Sequence, residues 1–316
     1  MKTILIVMPV QEPHRRYLES IAAGCRCVCS TPQTVTREEV AEAEIILGNV
    51  PPALLAGAEK LEWIQLNSAG FDAYVKPGIL RPDVLLTCAT GAYGLAVAEG
   101  MLAMTLALCR KLDLYAKNQA EHLWRAEGAI TSVWGSTTLV LGLGDIGREY
   151  ASRMKALGSY TIGIRRNISE KPDYMDELHT MDDLDELLPR ADFVAMSLPS
   201  TPETRHLMDE RRLGLMKKGS YLINVGRGDA VDCCALDRAL RRGDSLGGCA
   251  LDVTEPEPLP TDHPLWDAPR AILTPHCAGG FHLPETFQRV VGIAGENLGH
   301  YLAGRRDAMK NIVKHG

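Results

Sequence analysis

The stretch Thr137-Thr138-Leu139-Val140-Leu141-Gly142-Leu143-Gly144-Asp145-Ile146-Gly147 decides the fold. An apolar, β-prone run ends in glycines at first, third and sixth places, then continues into helix-forming sequence. That is the strand, loop and helix of a dinucleotide-binding unit. The three glycines serve different ends. Gly142 permits the tight turn, Gly144 lets backbone N–H groups approach a pyrophosphate with no Cβ in the way, and Gly147 lets the helix lie close on the strand. Leu143, Asp145 and Ile146 complete the loop. The diphosphate is expected over the helix N-terminus, where unpaired N–H groups and the helix dipole favour negative charge. In a simple unit of this kind the loop lies near the N-terminus, whereas here more than a hundred residues come first.

Working outward from the loop, strands recur at Thr137–Leu141, Tyr160–Ile164, Asp192–Ser197, Ser220–Val225, Gly248–Val253 and Ala271–Thr274, enough for a full doubly wound sheet. The preceding hundred residues alternate on their own: Thr3–Met8, Arg26–Cys29, Glu44–Leu47, Leu61–Leu66 and Val84–Thr87 read as strands, with helical stretches and Pro-marked loops between them. Ala96 to Asn118 reads as one long helix. After His276 the chain turns helical from about Pro284 to Leu302, with no further strand set. The 316 residues exceed what a single core usually supports. The predicted architecture is therefore α/β with two doubly wound parallel-sheet domains. Residues 1–98 and 284–316 form a discontinuous, flavodoxin-like substrate-binding domain, and residues 99–283 form a Rossmann NAD(P)-binding domain inserted into it. Two crossings imply a hinge, and a cleft between domains is where small substrates usually bind.

Composition narrows the function. Hydrophobic residues make up 46% and charged ones 23%, with a net charge of −6, which argues against nucleic acid or an anionic membrane as partner. No apolar run approaches membrane-spanning length, and Met1 to Met8 reads as a first strand rather than a leader. Nine scattered cysteines fit reduced thiols of a cytoplasmic protein. Cys25, Cys27 and Cys29 alternate along a strand and are expected as three small apolar groups on one buried face; no second ligand pair follows, so no metal is expected.

The acidic residue that binds the ribose 2′-hydroxyl normally lies about twenty positions past the loop. Arg165 and Arg166 stand there instead, Arg165 being 21 residues beyond Gly144. Guanidinium groups pair with a 2′-phosphate that a carboxylate would repel. This predicts NADP(H) as the preferred cofactor, with NAD(H) as the weaker alternative.

Three polar residues follow later strands, at the edge where α/β sheets bind ligands. Arg227 lies in Asn224-Val225-Gly226-Arg227-Gly228, Glu257 in Thr254-Glu255-Pro256-Glu257-Pro258, and His276 in Thr274-Pro275-His276-Cys277. A 2-keto acid needs a cation for its carboxylate and a proton donor for the carbonyl oxygen. A His titrates in the right range, and a carboxylate partner keeps it charged and oriented.

With Val140–Gly147, Ser197–Thr204, Asn224–Gly228, Leu251–Pro258 and Thr274–His276 in this order, the chain resembles the D-isomer-specific 2-hydroxyacid dehydrogenases over essentially its whole length. The resemblance implies that Arg227 binds the substrate carboxylate and carbonyl, that His276 is the general acid/base and that Glu257 is its partner, with Glu255 a rival two residues away. It implies that Asp252, Val225 and Gly226 meet the nicotinamide side and that Pro199 and Thr204 lie near the cofactor. It also implies that the loop Asn67-Ser68-Ala69-Gly70 holds the substrate carboxylate through backbone N–H groups, and that the protein is a homodimer. The substrate is expected to be small, of the glyoxylate or hydroxypyruvate kind. Trp63, Phe71, Tyr74 and Tyr93 either widen the pocket for a larger apolar group or belong to the core. Phosphite oxidation and nicotinamide sensing without turnover are the competing functions on the same fold.

Overall fold

A computed structural model describes residues 1–315 except 168, 169, 244, 245 and 282. The chain divides into two compact units, Met1–Tyr93 with Phe281–Gly316, and Gly94–Gly280. The first unit opens with β1 (Thr3–Ile6), α1 (Glu12–Ile21), β2 (Arg26–Cys29), α2 (Arg37–Glu42), β3 (Ile45–Leu47), β4 (Trp63–Gln65) and β5 (Leu85–Thr87). Local chemistry sets these limits. Thr36, for example, caps α2 by accepting from the Glu39 N–H at 3.2 Å while Glu39 reaches back to the Thr36 N–H at 2.9 Å.

The second unit begins with α3 (Gly94–Cys109) and α4 (Leu112–Ala120). It continues through β6 (Thr137–Leu141), α5 (Asp145–Ala156), β7 (Tyr160–Ile164), β8 (Glu177–His179), α6 (Leu184–Leu187), β9 (Phe193–Met196) and α7 (Glu210–Leu215). It closes with β10 (Tyr221–Asn224), α8 (Cys233–Arg242), β11 (Gly248–Leu251) and β12 (Ala271–Leu273). The chain then returns to the first unit as α9 (Pro284–Leu302) and β13 (Ile312–Val313).

Among the described residues the first sheet runs β13-β5-β4-β3-β1-β2, parallel except for β13. One face packs on α1 and α9 through Leu18, Phe287, Val290, Val291, Ala294 and Leu298. The second sheet runs β12-β11-β10-β9-β6-β7-β8 and is parallel throughout. Its order reverses between β6 and β9, the point at which such sheets bind ligands beyond their carboxyl ends. The loops leaving those two strands are Gly142–Gly147 and Ser197–Thr204. No helix among the described residues is long and apolar enough to cross a membrane.

Four expectations need correction. The expected helix over 96–118 is two helices, separated at Lys111, whose φ is +57°. Neither Pro nor Gly marks the break, because the group that ends α3 arrives from far away: Arg270 donates to the Leu108 carbonyl at 2.5 Å and also binds Asp113. The unit boundaries fall at 93/94 and 280/281 rather than at 98/99 and 283/284. All of α3 belongs to the second unit, tied by the Gly94 N–H to Asp145 at 2.7 Å and by Thr105 to Tyr150 at 2.8 Å. Two strands, β8 and β13, escaped the sequence pattern because each is an edge strand of at most three residues, too short to show a period. Finally, β2 is itself an edge strand, so Cys25 and Cys27 are only half-buried and Cys29 is exposed.

Candidate active site

The glycine loop meets its three steric requirements one by one. Gly142 has φ +93°, in the left-handed region. A Cβ on Gly147 would lie 1.9 Å from the Gly142 carbonyl oxygen, so only glycine lets α5 start there. A Cβ on Gly144 would meet nothing within 4 Å, so this glycine leaves open space that a ligand can use. Beside it lies a groove of about 860 Å³ lined by Gly142, Leu143, Gly144, Arg165, Arg166 and Pro199, among others. These residues fit a dinucleotide: an open cradle at the N-terminus of a 12-residue helix with two guanidiniums at the end of the next strand. Ile146 sits half-buried in the first turn of α5. The Asp145 carboxylate turns to the Gly94 N–H and to Arg148.

The far wall is rigid. Thr204 Oγ1 donates to the Pro199 carbonyl at 2.8 Å and accepts from the Thr201 N–H at 2.9 Å. Glu203 borders the same groove, and hydrogen bonds from Thr201 and from its own backbone, together with the charge of Arg166, hold its carboxyl below the usual range.

Arg227 is half-buried on a loop gripped from both sides. Asn224, fully buried at the end of β10, accepts from the Gly226 N–H at 3.0 Å and donates to the Arg227 carbonyl at 2.9 Å. A Cβ on Gly226 would come within 2.6 Å of the Leu198 carbonyl oxygen, and one on Gly228 within 1.9 Å of that of Thr254. The loop therefore threads between the backbones that follow β9 and β11, with Val225 buried at its start. Sequence reading passed over Asn224; its signal was an amide ending an apolar strand, where burial obliges both polar ends to find partners.

Glu257 and His276 meet, Glu257 Oε1 lying 2.6 Å from His276 Nδ1, with both side chains about half exposed. The rival Glu255 faces the other way and binds Arg205 at 2.7 Å and His206 at 3.0 Å. Burial opposes ionisation of Glu255, but those two partners outweigh it and keep its carboxyl below the ordinary range. The backbone of His276 is left-handed, with φ +50°, a strained state that surrounding structure must enforce.

Asp252 enforces it. Its carbonyl accepts the His276 N–H at 2.8 Å, and its carboxylate takes the Thr274 hydroxyl at 2.6 Å, the Cys277 N–H at 3.0 Å and the Ala278 N–H at 3.1 Å. It is 3% exposed. Asp252 is thus the knot beneath the His276 turn. Next to the pair lies a cavity of about 330 Å³ bordered by Glu257, Pro258, Leu259, Trp266, Pro275 and His276.

In the first unit, Ser68, Ala69 and Gly70 form a half-buried loop after β4. Their N–H groups take no acceptor among the described residues, and a run of such groups suits a carboxylate. The Ser68 hydroxyl donates to the Gly70 carbonyl at 2.6 Å. Two of the aromatic candidates belong to the core: Trp63 is fully buried and bonded to Thr87, and Tyr74 is buried and bonded to the Val50 carbonyl. Tyr93 is half-buried and donates to the Asn67 carbonyl, and Phe71 is half-buried.

The family model described as "D-isomer specific 2-hydroxyacid dehydrogenase, NAD binding domain" matches residues 102–278. The chain is 33% identical to a glyoxylate/hydroxypyruvate reductase B of Pectobacterium carotovorum, with 84% of each chain covered. A D-isomer specific 2-hydroxyacid dehydrogenase family protein of Aeromonas salmonicida superposes with a TM-score of 0.86 at 32% identity, over 99% of this chain and 98% of that one. A D-isomer specific 2-hydroxyacid dehydrogenase of Xanthobacter autotrophicus, solved with NADPH and MES, gives a TM-score of 0.81 at 28% identity over 99% of this chain and 98% of that one.

Proposed function

Because the chain belongs to the D-isomer specific 2-hydroxyacid dehydrogenase family, whose members are NAD(P)-dependent oxidoreductases, we propose that it reduces a small 2-keto acid, of the glyoxylate or hydroxypyruvate kind, to the D-2-hydroxy acid and prefers NADPH to NADH. The pairing of His276 with Glu257 at 2.6 Å carries the catalytic reading. Nδ1 is engaged by the carboxylate, so Nε2 is the ring nitrogen that serves the substrate. An imidazolium there donates its proton to the carbonyl oxygen in the reductive direction and recovers one in the oxidative direction, while Glu257 compensates the charge. Arg227 takes the carboxylate and carbonyl of the substrate with its planar fork, and the Ser68–Gly70 amides take the carboxylate. A bound nicotinamide supplies the hydride. Its pyrophosphate falls to the Gly142–Gly147 backbone, and a 2′-phosphate falls to Arg165 and Arg166; Pro199, Thr204, Val225 and Gly226 border the rest.

A panel of 2-keto acids assayed with NADPH and with NADH tests both parts. Turnover of glyoxylate or hydroxypyruvate with kcat/KM at least about tenfold higher for NADPH supports the proposal. Equal efficiency would remove the cofactor preference, and no turnover of any keto acid would remove the substrate class. We further propose a homodimer. Leu112, Leu123, Ile130 and Trp134 are exposed and Trp124 fully so, a concentration of apolar surface along α4 and the segment after it that a second copy would cover. A monomer by light scattering would refute this.

A further inference from the structure

We infer that Asn49 is a positioning residue for the substrate: it sets the Ser68–Gly70 loop in the shape that receives a carboxylate. The inference rests on the proposal that this loop holds the substrate carboxylate.

Strand register sets where Asn49 stands. β3 and β4 pair in parallel as Ile45 with Trp63, Ile46 with Ile64 and Leu47 with Gln65. The ladder runs one step further, the Gly48 N–H donating to the Gln65 carbonyl at 2.8 Å. At Gly48 the chain turns with φ +123°, and a Cβ there would stand 2.6 Å from the Met8 nitrogen, so the course of the backbone into Asn49 is fixed. Two positions beyond the last pair, in the same register, Asn49 faces Asn67.

There the ladder is continued by side chains. The Asn49 N–H donates to Asn67 Oδ1 at 2.6 Å, and the Asn67 N–H donates to Asn49 Oδ1 at 3.0 Å. Each amide oxygen replaces the carbonyl that a strand would have offered. The remaining half of the Asn49 amide donates from Nδ2 to Ser68 Oγ at 3.0 Å, which in turn donates to the Gly70 carbonyl at 2.6 Å. Tyr93 holds the Asn67 carbonyl from the other side, and the Ser68 carbonyl accepts from the Ala89 N–H at 2.9 Å. The carbonyls of Asn67, Ser68 and Gly70 are thus occupied, while the N–H groups of Ser68, Ala69 and Gly70 stay unengaged among the described residues. Asparagine suits the position because one amide both accepts from Asn67 and donates to Ser68. Holding the loop in advance lowers the ordering cost that substrate binding would otherwise carry.

The test compares Asn49→Ala, Asn67→Ala, the double variant and Ala69→Pro, with glyoxylate and hydroxypyruvate as probes and NADPH as cofactor. The expected result for Asn49→Ala is a KM raised about tenfold, kcat within about threefold, and an unchanged dissociation constant for NADPH. Each single variant removes a different bond of the pair, Asn49→Ala the acceptor of the Asn67 N–H and Asn67→Ala the acceptor of the Asn49 N–H, so the double variant should raise KM more than either single one. If Asn49→Ala does not fold, Asn49→Asp keeps the acceptor, loses the donation to Ser68 and should likewise raise KM. Ala69→Pro deletes one amide and reports on the loop itself. If it raises KM while Asn49→Ala leaves KM unchanged, Asn49 has no positioning role. If Ala69→Pro leaves KM unchanged, the loop is not the carboxylate site and the inference falls with it. Equal losses of substrate and NADPH affinity in Asn49→Ala would mark a general defect and also overturn it.

Discussion

Replacing Gly228 with alanine should separate the two halves of the proposed catalytic apparatus without touching any reacting group. An added Cβ would stand 1.9 Å from the Thr254 carbonyl oxygen, 2.1 Å from its carbon and 2.7 Å from its Cα, whereas real Cβ contacts stay above 3.0 Å. All three neighbours are backbone, so no side chain can rotate aside, and the gap must open by about 1.1 Å. On one side the displacement meets Asn224, which grips Gly226 and Arg227. On the other it reaches Thr254, whose hydroxyl is bonded to the Pro256 carbonyl at 2.9 Å, one residue before Glu257. Either way Arg227 shifts relative to the Glu257–His276 pair by about an ångström. A misplacement of that size costs on the order of 10²-fold in rate, or about 2.7 kcal/mol of transition-state stabilisation. Overpacking should cost about 1–3 kcal/mol of stability as well. Steady-state kinetics, an NADPH titration and a melting curve read the three effects separately. The expected outcome is kcat/KM down about a hundredfold with NADPH affinity retained. A variant with a lowered melting temperature but near-normal kcat/KM would show that this contact does not align the site.

Gly144→Ala makes the opposite case. The added methyl meets nothing within 4 Å, so the melting temperature should hold while the dissociation constant for NADPH rises; unchanged affinity would mean that no pyrophosphate approaches there. His276→Ala should lower kcat by roughly 10²–10⁴-fold, and near-normal turnover would remove His276 from its role. Acid should loosen the β7–β8 edge. Hydrogen bonds from Arg190, His179 and Tyr160 outweigh partial burial and hold Glu177 at about 2. A depressed carboxyl stabilises above its unfolded value, roughly 4.3, and that contribution fades as pH falls from there toward 2. Glu177→Gln should therefore flatten the acid limb of a stability–pH curve, and an unaltered limb would contradict the assignment.

What was legible in the sequence was what local sterics dictate. Gly142 and Gly147 sit where one residue type fits, and β-prone runs such as Thr137–Leu141 announce buried parallel strands. The register of such strands brought Arg165 and Arg166 to the groove beside Gly144. What remained hidden depends on partners distant along the chain. Glu255 and Glu257 share one proline-rich loop, and only the folded arrangement assigns Glu255 to Arg205 and Glu257 to His276. The break at Lys111 follows from Arg270, 162 residues from Leu108. The sequence does not show that the Asp145 and Asp252 carboxylates are drawn to backbone N–H groups of neighbouring segments.

The return of α9 and β13 to the first sheet has a consequence for how the chain comes to be folded. Residues 94–280 are continuous, so the nucleotide-binding unit has all it needs as soon as it leaves the ribosome. The earlier unit does not. Phe287, Val290, Val291, Ala294 and Leu298 of α9 lie in the same core as Ile4, Ile6 and Trp63, and β13 supplies the edge of their sheet. Its first 93 residues must therefore wait, with that apolar face uncovered, while about 190 further residues are made, roughly 10–40 s at ordinary elongation rates. The unit that starts first in the chain is the one completed last.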